Sequence, residues 1–359
     1  MIILYLFFLL ILTIYSYVLV DPNFTLVNLP FWTTFRNTLV YFGYYQRYWS
    51  WLVYLVLVLV LFIFYLYFLK HIKKYNPFKL ALFVGGILIL SYPFLSHDFF
   101  NYLFDARIAT LYFKNPYFYK ALDFPADPWL RFMHWTHRTY PYGPIFLLIT
   151  LFPSFLSFGK LFLSFLFFKI TWYIFYLLAV FLLTKLNKKW AMIFAVHPLI
   201  IIEGLINAHN DLIGLSLAII GIFYLVKNKN ILGRLILIFS AGIKYITFPL
   251  IFLPKKRHPG DGRVIFIILM LLIAYLTFFG EIQPWYFLAL FAFIPYFEKL
   301  LFRFNIFFMG LLFSYYPYIR LGGWDSVEKT TLKHIIILVF GVINLFYFII
   351  FKKHEKFDK

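Results

Sequence analysis

The chain has 359 residues, 64% of them hydrophobic and only 13% charged, with a mean hydropathy of +0.85. A soluble domain carries roughly 25% charged residues and under half apolar ones, so a water-soluble globule is excluded. The formal net charge of +19 sits mostly in short clusters between apolar runs, where the positive-inside bias puts Lys and Arg, and this argues against a nucleic-acid partner. Cysteine is absent, which excludes disulfides and thiolate metal sites.

Apolar runs of about 18–20 residues recur along the whole length, each long enough to cross a ~30 Å hydrocarbon core. They are too long and too continuous for barrel strands. The expectation is an all-α polytopic transmembrane helical bundle of about ten to twelve hydrophobic segments, some partial, in one integral membrane domain covering 1–359.

Residues 2–20 read as the first span; they lack a basic leader region and a small-residue cleavage site, so they read as retained. A polar, aromatic connection follows at 21–50, then a span at 51–69. KHIKKYNPFK at 70–79 carries four lysines and is expected on the cytoplasmic side. Residues 80–95 return outward and deliver the long stretch 96–144, expected to be an external loop with short interfacial helices. Its basic residues do not oppose that placement, because long loops translocate largely regardless of charge.

Residues 145–158 are short and contain Pro153, so they read as a broken or re-entrant segment. A full span at 161–184 ends in KLNKK, residues 190–206 go back out, AHND at 208–211 turns, and 212–226 return to KNKN. The stretch 231–254 precedes another basic cluster, KKRHPGDGR. A hairpin of two half-length helices, broken near Gly242–Lys244, keeps that cluster inside. Spans at 264–279, 287–300, 305–319 and 335–351 complete the chain, with GEIQPWY and RLGGWDSVEKTTLKH outside and a basic cytoplasmic tail. Of the fourteen acidic residues, Asp21, Asp98, Asp105, Asp123, Asp127, Asp211, Glu281, Asp325 and Glu328 fall on the expected outer face.

The candidate chemistry lies on that face. Asp98 follows a span directly, and Asp105 is seven residues on, so a helix puts both carboxylates on one side. Asp98 admits two readings: a general base for a sugar hydroxyl, or an interfacial cap paired with nearby Arg107. His209-Asn210-Asp211 either positions a substrate hydroxyl or phosphate or simply makes a turn. One His and one Asp do not make a metal site, nor do His134 and His137 three apart.

Glu203 lies within a span, where ionisable groups face a cavity or a partner. Lys244 is its expected basic counterpart, either paired with Glu203 or holding a lipid phosphate as a fixed charge. Lys169 is mid-span and reads as lining the bundle. Tyr142, in YPYGP at 140–144, sits in a rigid turn, and Trp285, in QPWY at 283–286, sits where aromatic belts form; both are candidate substrate contacts.

The order of these signals carries a resemblance. Asp98 and Tyr102 after a span, Asp105, NPY at 115–117, YPYGP, Glu203 with HND, GIKYITFPL at 242–250 and QPWY together resemble polytopic glycosyltransferases of the GT-C fold. They are most similar to the bacterial polyprenyl-phosphate-mannose-dependent mannosyltransferases, over about 80–300. The HND turn followed by the lysine hairpin is the most specific part.

The resemblance implies an enzyme of the plasma membrane that takes a sugar from a polyprenyl-phosphate carrier. It would pass that sugar, with inversion and on the external face, to a glycolipid or glycan acceptor. Asp98 would be the general base. His209, Asn210 and Asp211 would line the cavity, and Lys244 would hold the lipid phosphate, with Arg107 a second candidate. Asp105, Glu203, Tyr142 and Trp285 would line the substrate site. No cofactor or metal is firmly implied, though scattered carboxylates permit a divalent ion. The rival readings are a transporter or flippase of a lipid-linked or other anionic substrate, and a non-catalytic scaffold. The scaffold leaves the polar stretch and the HND turn without a reason.

Overall fold

The computed structural model describes residues 1–254 and 262–354, and among them the structure is helical without strands. The basic cluster after 254 falls largely on 255–261, and the chain's last residues on 355–359; both expectations of an inner-face location lie outside the described residues.

The helices are α1 Ile2–Tyr15, α2 Pro30–Val40, α3 Arg47–Lys70, α4 Pro77–Leu88, α5 Asp98–Thr110, α6 Pro144–Leu156, α7 Leu161–Leu186, α8 Lys188–Val196, α9 Asn210–Val226, α10 Asn230–Ala241, α11 Arg263–Phe279, α12 Ile294–Arg303, α13 Asn305–Phe313 and α14 Val327–His354. Five helical stretches among the described residues are long and apolar enough to cross a membrane: Ile2–Leu19, Arg47–Lys70, Leu161–Leu186, Pro284–Arg303 and Val327–Ile350. Five further apolar helices run only 10–17 residues.

The expected ten or so spans therefore divide into long helices and short ones. Helix breakers inside the apolar runs are the cause. The run at 80–95 illustrates this: α4 stops at Leu88, the Ser91 hydroxyl donates to the Leu88 carbonyl, and Pro93 forbids continuation. Likewise 190–206 is no single straight helix. α8 ends at Val196 before Pro198, and the chain resumes as a π-helical turn, Ile200–Ile206, bent by 65°. The connection at 21–50 also holds more structure than its composition suggested, since α2 forms there with Pro30 at its first position.

α9 is the central helix, packed against α7, α10 and the 3-10 helix Pro284–Phe293. The hairpin at 231–254 forms as expected. α10 and the 3-10 helix Tyr245–Phe252 fold back on each other across Gly242–Lys244, with Arg234 donating to the Ile251 carbonyl and Ser240 Oγ to Thr247 Oγ1 at 2.8 Å. The stretch 96–144 begins with α5, which is buried at every residue from Phe99 to Ile108. Beyond α5 it carries the short 3-10 helices Ala121–Asp123 and Pro128–Phe132, and most of its residues from 111 to 144 are half-buried or exposed.

Candidate active site

Two interruptions of regular helix shape the site. The π-helical turn Ile200–Ile206 widens the backbone, and its last carbonyls, of Leu205 and Ile206, accept from the buried Lys169 ammonium at 2.6 and 2.8 Å. Lys169 also donates to Ser91 Oγ at 3.0 Å, so this mid-span cation is fully engaged with oxygens of neighbouring elements. Ala208 takes φ +52°, in the left-handed region, and swings the chain so that His209 caps α9. The Trp172 indole fixes that corner by donating to the His209 carbonyl at 2.9 Å.

These devices place His209 between two carboxylates. Its Nε2 lies 3.3 Å from Glu203 Oε2 and its Nδ1 3.9 Å from Asp98 Oδ2, and its ring lies against the Trp285 indole. Glu203 is completely buried; the same oxygen accepts from Asn207 at 3.2 Å and Tyr315 at 3.3 Å. The expected Glu203–Lys244 pair is not formed. Lys244 instead bonds Asp211 Oδ2 at 2.6 Å, because α9 turns Asp211 toward the hairpin and Glu203 is already enclosed by His209, Asn207 and Tyr315. Asn210 is fully buried in the first turn of α9, outside the cavity wall.

A cavity of about 740 Å³ opens in front of these residues, walled by Asp98, Tyr142, Lys244 and Trp285 together with Arg138, Glu281, Gln283 and Lys333. Arg138 Nη2 lies 3.6 Å from Asp98 Oδ1. Glu281 is held by Lys333 at 3.1 Å and His334 at 2.8 Å. His97, also on the wall, meets the Tyr318 hydroxyl at 3.1 Å and stacks on His134. Burial, then the neighbouring His134, hold the His97 imidazole down at about 3, so it is neutral. Asp105, two turns along α5 from Asp98, is buried behind the wall. Burial pushes its carboxyl up to about 8 against the pull of Arg138, and Asp98 adds to the rise.

Arg107 is a correction. It lies nine residues after Asp98, about 180° around the helix, and so faces away from the cavity. Its Nε bonds Asp127 Oδ2 at 2.7 Å, its Nη1 donates to the Gly159 carbonyl at 2.8 Å, and its guanidinium lies over Trp129. The Asp98–Arg107 pair and the phosphate role for Arg107 both fall with this placement. Arg138 takes the position beside Asp98, and Lys333 lines the cavity from the last helix; neither carries a spacing signal that marks it in the sequence. No group of three or more His, Asp or Glu side chains converges as a metal site among the described residues.

The sequence matches the MptA_B family, described as alpha-(1->6)-mannopyranosyltransferase, N-terminal domain, over residues 13–254. The match starts well before the stretch that carried the resemblance and ends before QPWY. No curated protein and no solved structure matches the chain. The match covers more than half of the sequence and contains the Asp98 helix, the HND corner and the lysine hairpin, and the chain belongs to this family of membrane mannosyltransferases, glycosyltransferases of the GT-C type.

Proposed function

We propose that the protein transfers mannose from a polyprenyl monophosphate to a hydroxyl of a glycolipid or glycan, on the outer face of the plasma membrane, with Asp98 as the general base. One observation supports this reading above the others. The cavity wall presents two carboxylates, Asp98 and Glu281. Glu281 is held by short contacts to the Lys333 ammonium and the His334 imidazole, whereas the Arg138 guanidinium and the His209 imidazole stand 3.6 and 3.9 Å from Asp98. Asp98 is therefore the wall carboxylate without a short ion pair, and its side chain is about one-fifth exposed.

In this reading the acceptor O–H gives its proton to Asp98 as its oxygen attacks the anomeric carbon from the side opposite the phosphate. The bond from that carbon to the phosphate oxygen breaks, its electron pair leaving with the polyprenyl phosphate. Inversion turns a β-linked donor into an α-linked product, in keeping with the α-(1→6) linkage in the family's description. Lys244, fixed by Asp211, stabilises the charge that grows on the departing phosphate in a site of low dielectric. Asp105 and Glu203 act from behind the wall, on the charge balance of Asp98 and His209. Membership of a transferase family favours this over the transporter.

Sugar transfer from radiolabelled polyprenyl-phosphate-mannose, by membranes holding the wild type or Asp98→Asn, tests the reading. The wild type is expected to form labelled product and Asp98→Asn to lose it by a factor of about 10²–10⁴. Full activity in the variant removes Asp98 from the mechanism. A wild type that neither transfers, hydrolyses nor binds the donor turns the reading toward transport.

A further inference from the structure

The QPWY turn lies beyond the family match, yet it contacts His209, Lys244 and Lys333. Trp285 supports His209, and the Lys244 ammonium lies 5.2 Å above the centre of the Tyr286 ring. Gln283 Oε1 accepts from the Lys333 ammonium at 3.2 Å. Gln283, which directly precedes the 3-10 helix Pro284–Phe293, and Tyr286, in its first turn, contact Lys333, from α14, and Lys244, from the hairpin, and both lysines line the one cavity.

We propose that Lys333 is a second phosphate-binding cation, which with Lys244 holds the polyprenyl monophosphate released by the reaction. The proposal rests on the phosphate-donor reading above. A sugar-linked phosphodiester carries one negative charge. Once the bond to the sugar breaks, the monoester carries about −1.5 to −2 near pH 7. One lysine matches the donor, and two match the transition state and the product.

Lys333 is built for the task. Its side chain is 3% exposed, fixed against the Trp324 ring at 4.9 Å, and uses two of its three donors on Glu281 and Gln283. Glu281 keeps a partner when Lys333 turns toward phosphate, since His334 Nε2 sits 2.8 Å from the same carboxylate oxygen.

The test is binding of a short-chain isoprenyl monophosphate, and of the matching isoprenol, to the full-length protein in lipid nanodiscs. The wild type is expected to bind the monophosphate and not the alcohol. Lys333→Gln is expected to weaken monophosphate binding about tenfold or more, and to weaken it more than it raises the KM for the sugar-phosphate donor. Lys333→Arg, which keeps the charge, should recover most of it. Unchanged monophosphate binding by Lys333→Gln overturns the proposal and leaves the phosphate-donor reading intact. A loss that Lys333→Arg does not recover marks a packing role and also overturns it. A wild type that prefers the monophosphate no more than the alcohol overturns both.

Discussion

The imidazole of His209 lies almost flat on the indole of Trp285, with ring centroids 3.9 Å apart and planes 21° from parallel. The stack joins the HND corner to a turn about seventy-five residues later in the chain, and it sets the plane in which His209 reaches both Glu203 and Asp98. A histidine held this way keeps its two ring nitrogens aimed at two carboxylates without a hydrogen bond to fix the tautomer.

Trp285→Ala should free that ring. Aromatic pairs contribute about 0.5–1.5 kcal/mol beyond their burial, so the expected loss is up to about tenfold in kcat, with donor KM little changed. Trp285→Phe keeps a flat partner and should retain most of the rate. Steady-state transfer by the two variants checks this, and an unchanged kcat in Trp285→Ala would show that the stack does not position His209.

Asp105 should make stability depend on pH. In the unfolded chain its carboxyl titrates near 3.9, whereas in the fold burial raises it to about 8. Between those values the folded state keeps a proton that the unfolded state has lost. Stability from this group is therefore greatest below about pH 4, falls as pH rises through about 8, and is flat above. Asp105→Asn has nearly the same shape and does not titrate. Unfolding midpoints measured from pH 5 to 9 should show the variant gaining on the wild type as pH rises. A difference independent of pH would show that Asp105 does not hold the proton.

Much of this site could be read from residue order. Asp98, Lys244, Tyr142 and Trp285, far apart in sequence, line one cavity with His209 behind it, and the hairpin breaks at Gly242–Lys244 where the basic flanks required it. Arg107 was legible too, by a finer reading. Helical periodicity, which puts Asp105 on the Asp98 side of α5, puts Arg107 on the other. The broken span at Pro198 was signalled by its proline. Other parts were not encoded locally. Arg138 and Lys333 look like ordinary surface cations until the fold sets one beside Asp98 and encloses the other, and the partner of Lys244 depends on how α9 rotates Asp211, which no spacing fixes.

Gly143 should prove as sensitive as any charged residue of the site. It ends the YPYGP turn directly against the hairpin break, where a Cβ would stand 1.9 Å from the Gly242 carbonyl oxygen, and its N–H donates to the Ile243 carbonyl at 3.4 Å. Backbone cannot yield as a side chain does, so Gly143→Ala should push the hairpin outward and carry Lys244 with it. A shift of that kind can cost about 10²-fold in rate. The expected result is a folded protein with donor KM raised and kcat reduced. Wild-type kinetics in Gly143→Ala would show that the two segments do not depend on this contact.

Arg107 should behave as a structural residue. Its guanidinium and the Asp127 carboxylate are both buried, and Asp127 also accepts from the Tyr112 hydroxyl at 2.6 Å and the Trp129 backbone N–H at 2.8 Å. Removing the arginine alone leaves an uncompensated buried carboxylate, which costs about 3–5 kcal/mol. Arg107→Met should therefore lower the unfolding midpoint sharply, while the fraction that stays folded keeps a near-normal donor KM. Lysine cannot reproduce the bonds from Nε and Nη1 at once, so Arg107→Lys should recover only part of the stability. Adding Asp127→Asn to Arg107→Met removes the stranded charge and should restore stability beyond either single change. An Arg107→Met protein with wild-type stability and a strongly raised donor KM would return Arg107 to the phosphate site.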